Sequence, residues 1–263
     1  MSDTPFSGPG PAQIDHFIEH GYLKLENAFD ADLARAGREE LWRAMGLSPD
    51  APQTWTRPVV RLNFMSSPPF VAAANTPRLH QAYDALVGAG RWLRPQGLGT
   101  FAVRFPSPDD PGDAGWHVDA SFGTDNPDFM QWRVNVKSRG RALLMLFLFS
   151  DVGSDDAPTR VRRGSHLHIA RQLLPFGEAG LTLGELAADD FAATASCPQV
   201  LATGAAGTVY LCHPFLVHSA QPHRGSRPRF LAQPPLLPSG AFDPALPPSP
   251  VQRAIRQACG LQI

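Results

Sequence analysis

The chain has 263 residues, of which 43% are hydrophobic and 18% charged, and its formal net charge is −1. This composition is typical of a globular protein and excludes extensive disorder. Because the sequence has no block of basic residues, neither nucleic acid nor an anionic membrane surface is expected as a partner. The longest apolar run, residues 142–149, is too short to cross a bilayer.

The cysteine content and the first residues bear on the compartment. Cys197, Cys212 and Cys259 form neither a zinc-type spacing nor a disulfide framework. Met1–Pro11 lacks the charged and apolar regions of a signal peptide. Both features favour a reducing environment, and we expect a cytoplasmic protein.

Helical periodicity and capping residues predict three helices in the first third of the chain. The first covers residues 12–20 and ends at Gly21, and the second follows Asp30, a favourable N-cap, and ends at Gly46. The third begins at Thr76-Pro77, where a capping residue precedes a first-turn proline. The first third is therefore expected to be mostly helical.

Short strands separated by turn residues are predicted for most of the remainder. The predicted strands cover residues 22–25, 100–105, 142–149, 161–163, 208–211 and 229–231. Gly164-Ser165-His166 is interpreted as a turn, and the proline-rich residues 233–250 as an irregular surface segment before a closing helix over 251–259. This pattern favours a β-sandwich or jelly roll.

The chemistry centres on Gly115-Trp116-His117-Val118-Asp119. In a strand, residues i and i+2 point to the same side, so His117 and Asp119 can reach one metal ion together. A second imidazole, His218, follows about a hundred residues later, with Arg229 beyond it. Two imidazoles and one carboxylate are the ligand set of non-haem iron oxygenases.

The assembled pattern resembles the phytanoyl-CoA dioxygenase family of iron(II)- and 2-oxoglutarate-dependent oxygenases. The resemblance rests on residues 14–23, 115–119, 163–166, 213–218, Pro222 and Arg229, in that order. With it we expect a mainly β chain with a double-stranded β-helix (jelly-roll, cupin-like) core at about residues 99–237. Flanking helices come mostly from about residues 12–95, and the whole chain, 1–263, is expected to be one domain.

The resemblance implies that His117, Asp119 and His218 hold Fe(II) and that Arg229 binds the distal carboxylate of 2-oxoglutarate. A guanidinium matches a carboxylate through two parallel hydrogen bonds and stays charged. His213 and Arg224 have the same spacing as His218 and Arg229. We prefer His218 because the family's ligand follows a Pro-x-x-x-His pattern and because Arg224 lies in a predicted tight turn.

Other side chains are secondary candidates. Arg104 and Ser219 are further candidates for contacts with 2-oxoglutarate, and Trp116 is expected to pack beside His117 and help to fix its orientation. Relatives often have asparagine where this chain has His223 and a small hydroxyl residue where it has Ala220, which leaves the secondary co-substrate contacts open. His166 is expected to make a structural hydrogen bond, and His168 and His223 to face solvent or the cavity mouth.

The resemblance implies that O2 and 2-oxoglutarate are consumed, that succinate and CO2 are released, and that an unactivated C–H bond of a small molecule is hydroxylated. Halogenating relatives carry a small residue at the position of Asp119, so Asp119 favours hydroxylation. Desaturation or cyclisation, a non-catalytic jelly-roll binding protein and a zinc hydrolase are alternatives. Substrate contacts are expected from loops that flank the barrel mouth, for example residues 57–64, 122–134 and 173–186, and Arg57, Arg61 and Arg133 favour an acidic substrate.

Overall fold

The computed structural model describes residues 8–241 and 245–261. Residues 1–7, which form most of the segment considered for a signal peptide, and residues 242–244 of the proline-rich segment lie outside the described residues. Within the two described ranges, no helix is both long enough and apolar enough to cross a membrane.

Capping residues set the ends of several helices. The α-helices of the described residues are α1 Pro11–His20, α2 Ala31–Met45, α3 Pro68–Ala74, α4 Pro77–Val87, α5 Ser165–Leu173, α6 Leu183–Ala187 and α7 Pro250–Cys259. Gly21 and Gly46 end α1 and α2 with φ of 84° and 67°, a left-handed conformation that glycine adopts without strain. The Thr76 side chain accepts a hydrogen bond from the Leu79 N–H at 3.2 Å and caps α4. The three helices predicted in the first third are confirmed.

The strands are short and form antiparallel sheets. They are β1 Tyr22–Leu25, β2 Val59–Leu62, β3 Phe101–Arg104, β4 Arg133–Val134, β5 Leu143–Leu148, β6 Arg160–Arg162, β7 Leu181–Thr182, β8 Gln199–Leu201, β9 Val209–Cys212, β10 His218–Ser219, β11 Leu231–Ala232 and β12 Pro235–Leu236. A seven-stranded sheet has the order β1-β9-β5-β11-β3-β2, with β12 also paired to β5. A second sheet has the order β10-β6-β8, and β4 pairs with β7.

The central strand β5 lies between two apolar layers, as its uninterrupted apolar sequence predicts. Leu143, Met145 and Phe147 belong to a core that also contains residues of the helices. The alternate residues Leu144 and Leu146 belong to a second core, which also contains Val161 of β6. The large sheet therefore packs against helices on one face and against the three-stranded sheet on the other.

Several local expectations need correction. Residues 57–64, predicted as a substrate loop, contain β2, which pairs with β3 from Val59 opposite Arg104 to Leu62 opposite Phe101. The 164–166 turn continues into α5, and part of the supposedly irregular segment forms β12. The expected helices around an antiparallel sheet core are present. More of the described residues are helical than extended, however, so the expectation of a mainly β chain overstates the strand content.

Candidate metal centre

His117 and His218 lie directly opposite each other on neighbouring antiparallel segments. Each backbone N–H donates to the other residue's carbonyl oxygen at 2.9 Å. The two imidazole rings consequently lie side by side, with centroids 4.3 Å apart. A pair of backbone hydrogen bonds thus joins two histidines that are far apart in sequence.

Asp119 completes the cluster. One donor atom from each of His117, Asp119 and His218 lies within 4.8 Å of the other two. The Asp119 Oδ1 atom is 3.7 Å from the His218 Nε2 atom. The intervening Val118 is fully buried, as expected for a residue that points to the opposite side from its neighbours. The structure therefore brings the three predicted ligand side chains together.

In both His117 and His218, the two nitrogens of the imidazole ring have different roles. The His117 Nδ1 atom lies 3.1 Å from the Gly115 carbonyl oxygen, and the His218 Nδ1 atom lies 2.9 Å from that of Leu216. A carbonyl oxygen can only accept, so in the neutral rings Nδ1 carries the proton and Nε2 keeps its lone pair. Both histidines can then offer Nε2 to a metal ion, and the backbone fixes their tautomers.

The electrostatics keep His218 and Asp119 in the protonation states that bind a metal ion. Burial, together with the neighbouring His117, lowers the pKa of His218 to about 4, so this ring is neutral at pH 7. Burial alone would raise the pKa of Asp119. The charge of Arg141, the two imidazoles and a hydrogen bond from Gln233 outweigh burial and hold that pKa below its usual range. Two neutral nitrogens and one carboxylate fit a ferrous ion.

Arg104 and Arg229 form a second pair across neighbouring segments. Their backbone N–H groups donate to each other's carbonyl oxygens at 3.0 and 2.8 Å, and both side chains are about 2% exposed. Burial and the charge of Arg104 lower the pKa of Arg229 to about 9, so it remains charged at pH 7. Asp113 accepts from Arg104 at 2.6 Å and also pairs with Arg61.

Some N–H groups of Arg104 and Arg229 make no hydrogen bond to any described residue. The Nε and Nη1 groups of Arg104 and the Nε group of Arg229 are buried and have no hydrogen-bond partner among the described residues. Arg229 otherwise donates to the carbonyl oxygens of Ala157 and Ala102. Buried unpaired donors beside one another suit an anion with several oxygens, such as the carboxylate of 2-oxoglutarate.

The Ser219 side chain, unlike the arginine pair, has hydrogen-bond partners within the protein. The Ser219 hydroxyl donates to the Ala114 carbonyl oxygen at 2.6 Å and accepts from Arg160 at 2.8 Å. Since Ser219 follows His218 in a strand, its side chain points to the opposite side. The Ser219 hydroxyl is thus already hydrogen-bonded within the protein, and its expected contact with 2-oxoglutarate stays a prediction.

Trp116 lies against two arginines. The guanidinium carbons of Arg160 and Arg162 are 4.8 and 4.2 Å from its ring centroid. These cation–π contacts fix the segment that carries His117, while the Gly115 carbonyl orients the imidazole itself.

The remaining histidines lie apart from the cluster. His213 is buried, with Nε2 3.3 Å from the Val251 carbonyl oxygen, and Arg224 is exposed, so the alternative His213–Arg224 pair does not face a common cavity. His166 lies 2.9 Å from the Ile18 carbonyl oxygen, the structural hydrogen bond that was expected. His223 is 7% exposed, with Nε2 2.8 Å from the Arg227 carbonyl oxygen, so it does not face solvent, and its expected alternative place at the cavity mouth stays a prediction.

Two residues at the cluster had no sequence signal. Arg141 Nη1 donates to Asp119 Oδ2 at 3.0 Å. Gln233 Nε2 lies 2.8 Å from His218 Nε2 and hydrogen-bonds Asp119. Gln233 had been assigned to the irregular surface segment. Nothing in the periodicity of either region shows that its side chain reaches a histidine and a carboxylate from other segments.

Comparisons with solved structures give the same fold at low sequence identity. The GlcNAc-inducible gene 2 protein of Candida albicans matches with a TM-score of 0.63 and 16% identity over 90% of this chain, which spans only 65% of that protein's length. HygX of Streptomyces hygroscopicus, solved with nickel, 2-oxoglutarate and hygromycin B bound, matches with a TM-score of 0.53 and 18% identity over 86% of each chain. SnoK, a non-haem α-ketoglutarate-dependent carbocyclase from nogalamycin biosynthesis, matches with a TM-score of 0.54 and 19% identity over 89% of this chain and 85% of its own.

Comparison with curated proteins finds no match. The sequence model of the phytanoyl-CoA dioxygenase (PhyH) family, by contrast, matches residues 17–231. The chain therefore belongs to this family of iron- and 2-oxoglutarate-dependent oxygenases.

Proposed function

We propose that this member of the phytanoyl-CoA dioxygenase family hydroxylates an unactivated C–H bond of a small-molecule metabolite, with release of succinate and CO2. His117, Asp119 and His218 are the proposed Fe(II) ligands. The observation that carries the proposal is the convergence of these three side chains, with one donor atom from each within 4.8 Å of the others. When bound, iron and 2-oxoglutarate supply the activation of O2 and the oxidising power.

The protein's own part is to bind and orient. Three donors on one side of an ion leave its other side open to the co-substrate and O2. The backbone carbonyls at Gly115 and Leu216 fix both imidazoles so that Nε2 faces the ion. Apolar side chains of β5 and β9 behind the cluster, among them Leu144 and Cys212, restrict the access of water.

Arg229 is the proposed partner of the distal carboxylate of 2-oxoglutarate, and Arg104 is its neighbour in that role. The support is the surplus of buried positive charge, because the carboxylate Asp113 already pairs with both Arg104 and Arg61. The free N–H groups of Arg104 and Arg229 can complete their hydrogen bonds on a carboxylate.

The two packed sheets are proposed to be the two halves of a double-stranded β-helix, with the whole chain, 1–263, as one domain. The support is the core shared between β5 of the large sheet and β6 of the three-stranded sheet, together with the position of the cluster between His218 of β10 and Gln233, which follows β11 of the large sheet. This is where jelly-roll proteins open to ligands.

The substrate is proposed to be a small acid. A cavity of about 720 Å³ is lined by Arg91, Lys137, Arg139 and Arg141. Lys137 pairs with Glu178, the single acidic residue among the described lining residues, and Arg91 donates to the Pro247 carbonyl oxygen, so the four cations still exceed the one carboxylate. Arg141 lines this cavity and also contacts Asp119. An anionic group would be attracted to such a surface. Arg61, one of the arginines expected to attract an acidic substrate, is already paired with Asp113.

Arg133 is likewise occupied, because it donates to the carbonyl oxygens of Ala179 and Gly180.

Cyclisation by the same oxidant is the second candidate, supported by the likeness to the carbocyclase SnoK. The mass of the product separates the two reactions, because hydroxylation adds an oxygen atom whereas desaturation or ring closure removes two hydrogens.

The test is a survey of candidate metabolites, weighted towards carboxylates and phosphates, with release of succinate followed under air with Fe(II). The expected result is succinate release that depends on 2-oxoglutarate and is stimulated by one class of acids. Asp119→Ala is the control and should abolish it. Turnover of a substrate without O2 and 2-oxoglutarate would instead indicate a zinc hydrolase. A protein that binds the metal but releases no succinate with any candidate acid would support a non-catalytic role.

A further inference from the structure

Arg141 holds Asp119 from outside the cluster of candidate ligands. Its Nη1 group donates to Asp119 Oδ2 at 3.0 Å, and its Nη2 group donates to the Ala120 carbonyl oxygen at 3.1 Å. One planar group therefore binds both the carboxylate and the peptide that follows it. Arg141 is itself anchored, because its carbonyl oxygen accepts from the Ser138 hydroxyl at 2.7 Å.

The two oxygens of Asp119 have different surroundings. Oδ2 accepts from Arg141, whereas Oδ1 is 3.7 Å from the Nε2 atom of His218. An oxygen bound to a guanidinium is a poor ligand for a metal cation, since the two positive charges repel each other at that distance. Oδ1, which lies on the side of His218, is then the oxygen that faces an ion shared with the imidazoles.

We propose that Arg141 is a positioning residue that makes Asp119 a one-oxygen ligand of the metal. The inference rests on the ligand assignment made under Proposed function. 2-Oxoglutarate and O2 need the remaining positions of an octahedral ion, so a second oxygen from Asp119 would block one of them. The role requires the guanidinium fork, because a lysine ammonium has the charge but not the planar pair of donors.

The arrangement differs from an ordinary surface ion pair. The side chains of Arg141 and Asp119 are only 12% and 21% exposed, so solvent screens the pair weakly. The Arg141 Nε group is buried and has no hydrogen-bond partner in the described part of the chain. The guanidinium is thus oriented by Asp119 and Ala120, and it fixes their positions in return.

Titration of the full-length protein with Co(II) alone tests the inference, because the visible spectrum of Co(II) reports its coordination number and calorimetry reports its affinity. Arg141→Gln is expected to weaken Co(II) binding by about 10- to 100-fold and to change the spectrum. Arg141→Lys should show the same spectral change with a smaller loss of affinity. Arg43→Gln, an exposed arginine on α2, removes the same charge and should change neither.

A rescue experiment separates positioning from folding. Asp119→Gly should lose Co(II) affinity, and added formate should restore about tenfold of it, because Arg141 can hold one formate oxygen and leave the other for the metal. The double variant Asp119→Gly/Arg141→Gln should show no such rescue. Melting temperatures identify any unfolded variant, and Arg141→Lys replaces Arg141→Gln if the latter does not fold.

Each result decides one question. Equal rescue in the single and double variants overturns the inference, as does an Arg141→Gln affinity within about twofold of wild type with an unchanged spectrum. If Asp119→Gly binds Co(II) as tightly as wild type, the ligand assignment itself is wrong. A weakened Asp119→Gly beside an unaffected Arg141→Gln leaves that assignment intact and rejects only the role of Arg141.

Discussion

His117 and His218 exchange two backbone hydrogen bonds, each 2.9 Å long, across neighbouring antiparallel segments. The distance between their imidazoles is therefore set by main-chain geometry and does not depend on side-chain packing alone. A site built in this way is preformed, and a metal ion need not order the chain in order to bind.

Replacing His117 by glutamine should weaken Co(II) binding by more than about 100-fold, because a poorer neutral donor replaces an imidazole nitrogen. The melting temperature should change little, since the backbone hydrogen bonds to His218 do not involve the side chain. Calorimetry and thermal unfolding measure the two quantities. His168→Gln on α5 is the matched control. Equal affinity in the two variants would remove His117 from the site.

Arg229→Lys should raise the KM for 2-oxoglutarate by about 10- to 150-fold, the range expected when charge-assisted hydrogen bonds to a carboxylate are lost. The maximal rate should fall less, because the proposed role of Arg229 is to bind the distal carboxylate of the co-substrate and not to hold the metal. Steady-state succinate release measures both, with the exposed Arg227→Lys as control. An unchanged KM would show that the co-substrate carboxylate binds elsewhere.

Gln233→Ala should strengthen Co(II) binding by about 2- to 10-fold. The Gln233 amide nitrogen lies 2.8 Å from His218 Nε2, and because His218 Nδ1 carries the proton, the amide donates to the lone pair that a metal would use. Removing a competing hydrogen bond is worth about 1 kcal/mol. Calorimetric titration, with the exposed Gln96→Ala as control, is the measurement. Weaker binding would mean that Gln233 supports the ion.

Stability should fall as the pH is lowered from about 6.5 to 4. Burial lowers the pKa of His166 to about 4, so within this window the unfolded chain binds a proton that the folded protein does not. The loss from this residue is about 3 kcal/mol, and the lowered pKa of His213 acts in the same direction. His166→Asn should flatten the dependence, as urea unfolding at several pH values can show. An equally steep dependence in this variant would assign the loss to other groups.

Residues that act through local pattern were predictable from the sequence. Gly21 and Thr76 mark helix ends by their own backbone and side-chain chemistry, and the apolar run of β5 requires burial on both faces. His117 and Asp119 share a side because of strand alternation, which needs no tertiary information.

Residues that act through tertiary contacts were not predictable. Arg141 and Gln233 reach Asp119 only because the segment before β5 and the segment after β11 are brought beside it, and neither position has a distinctive local sequence. The hydrogen bonds of Ser219 to Ala114 and Arg160 are likewise tertiary contacts that its local sequence does not show.

The cluster is assembled from segments that are far apart in sequence. Residue 117 pairs with residue 218, and Gln233 contacts both His218 and Asp119, which has a consequence for biosynthesis. A ribosome that has made only the first two hundred residues displays one histidine and one aspartate of the proposed iron site. Loading with iron must therefore wait until the segment containing residue 218 has emerged and closed a long loop, a step that such non-local topology makes slow. Cellular iron delivery would then meet an acceptor in which the two ligand-bearing segments are already paired.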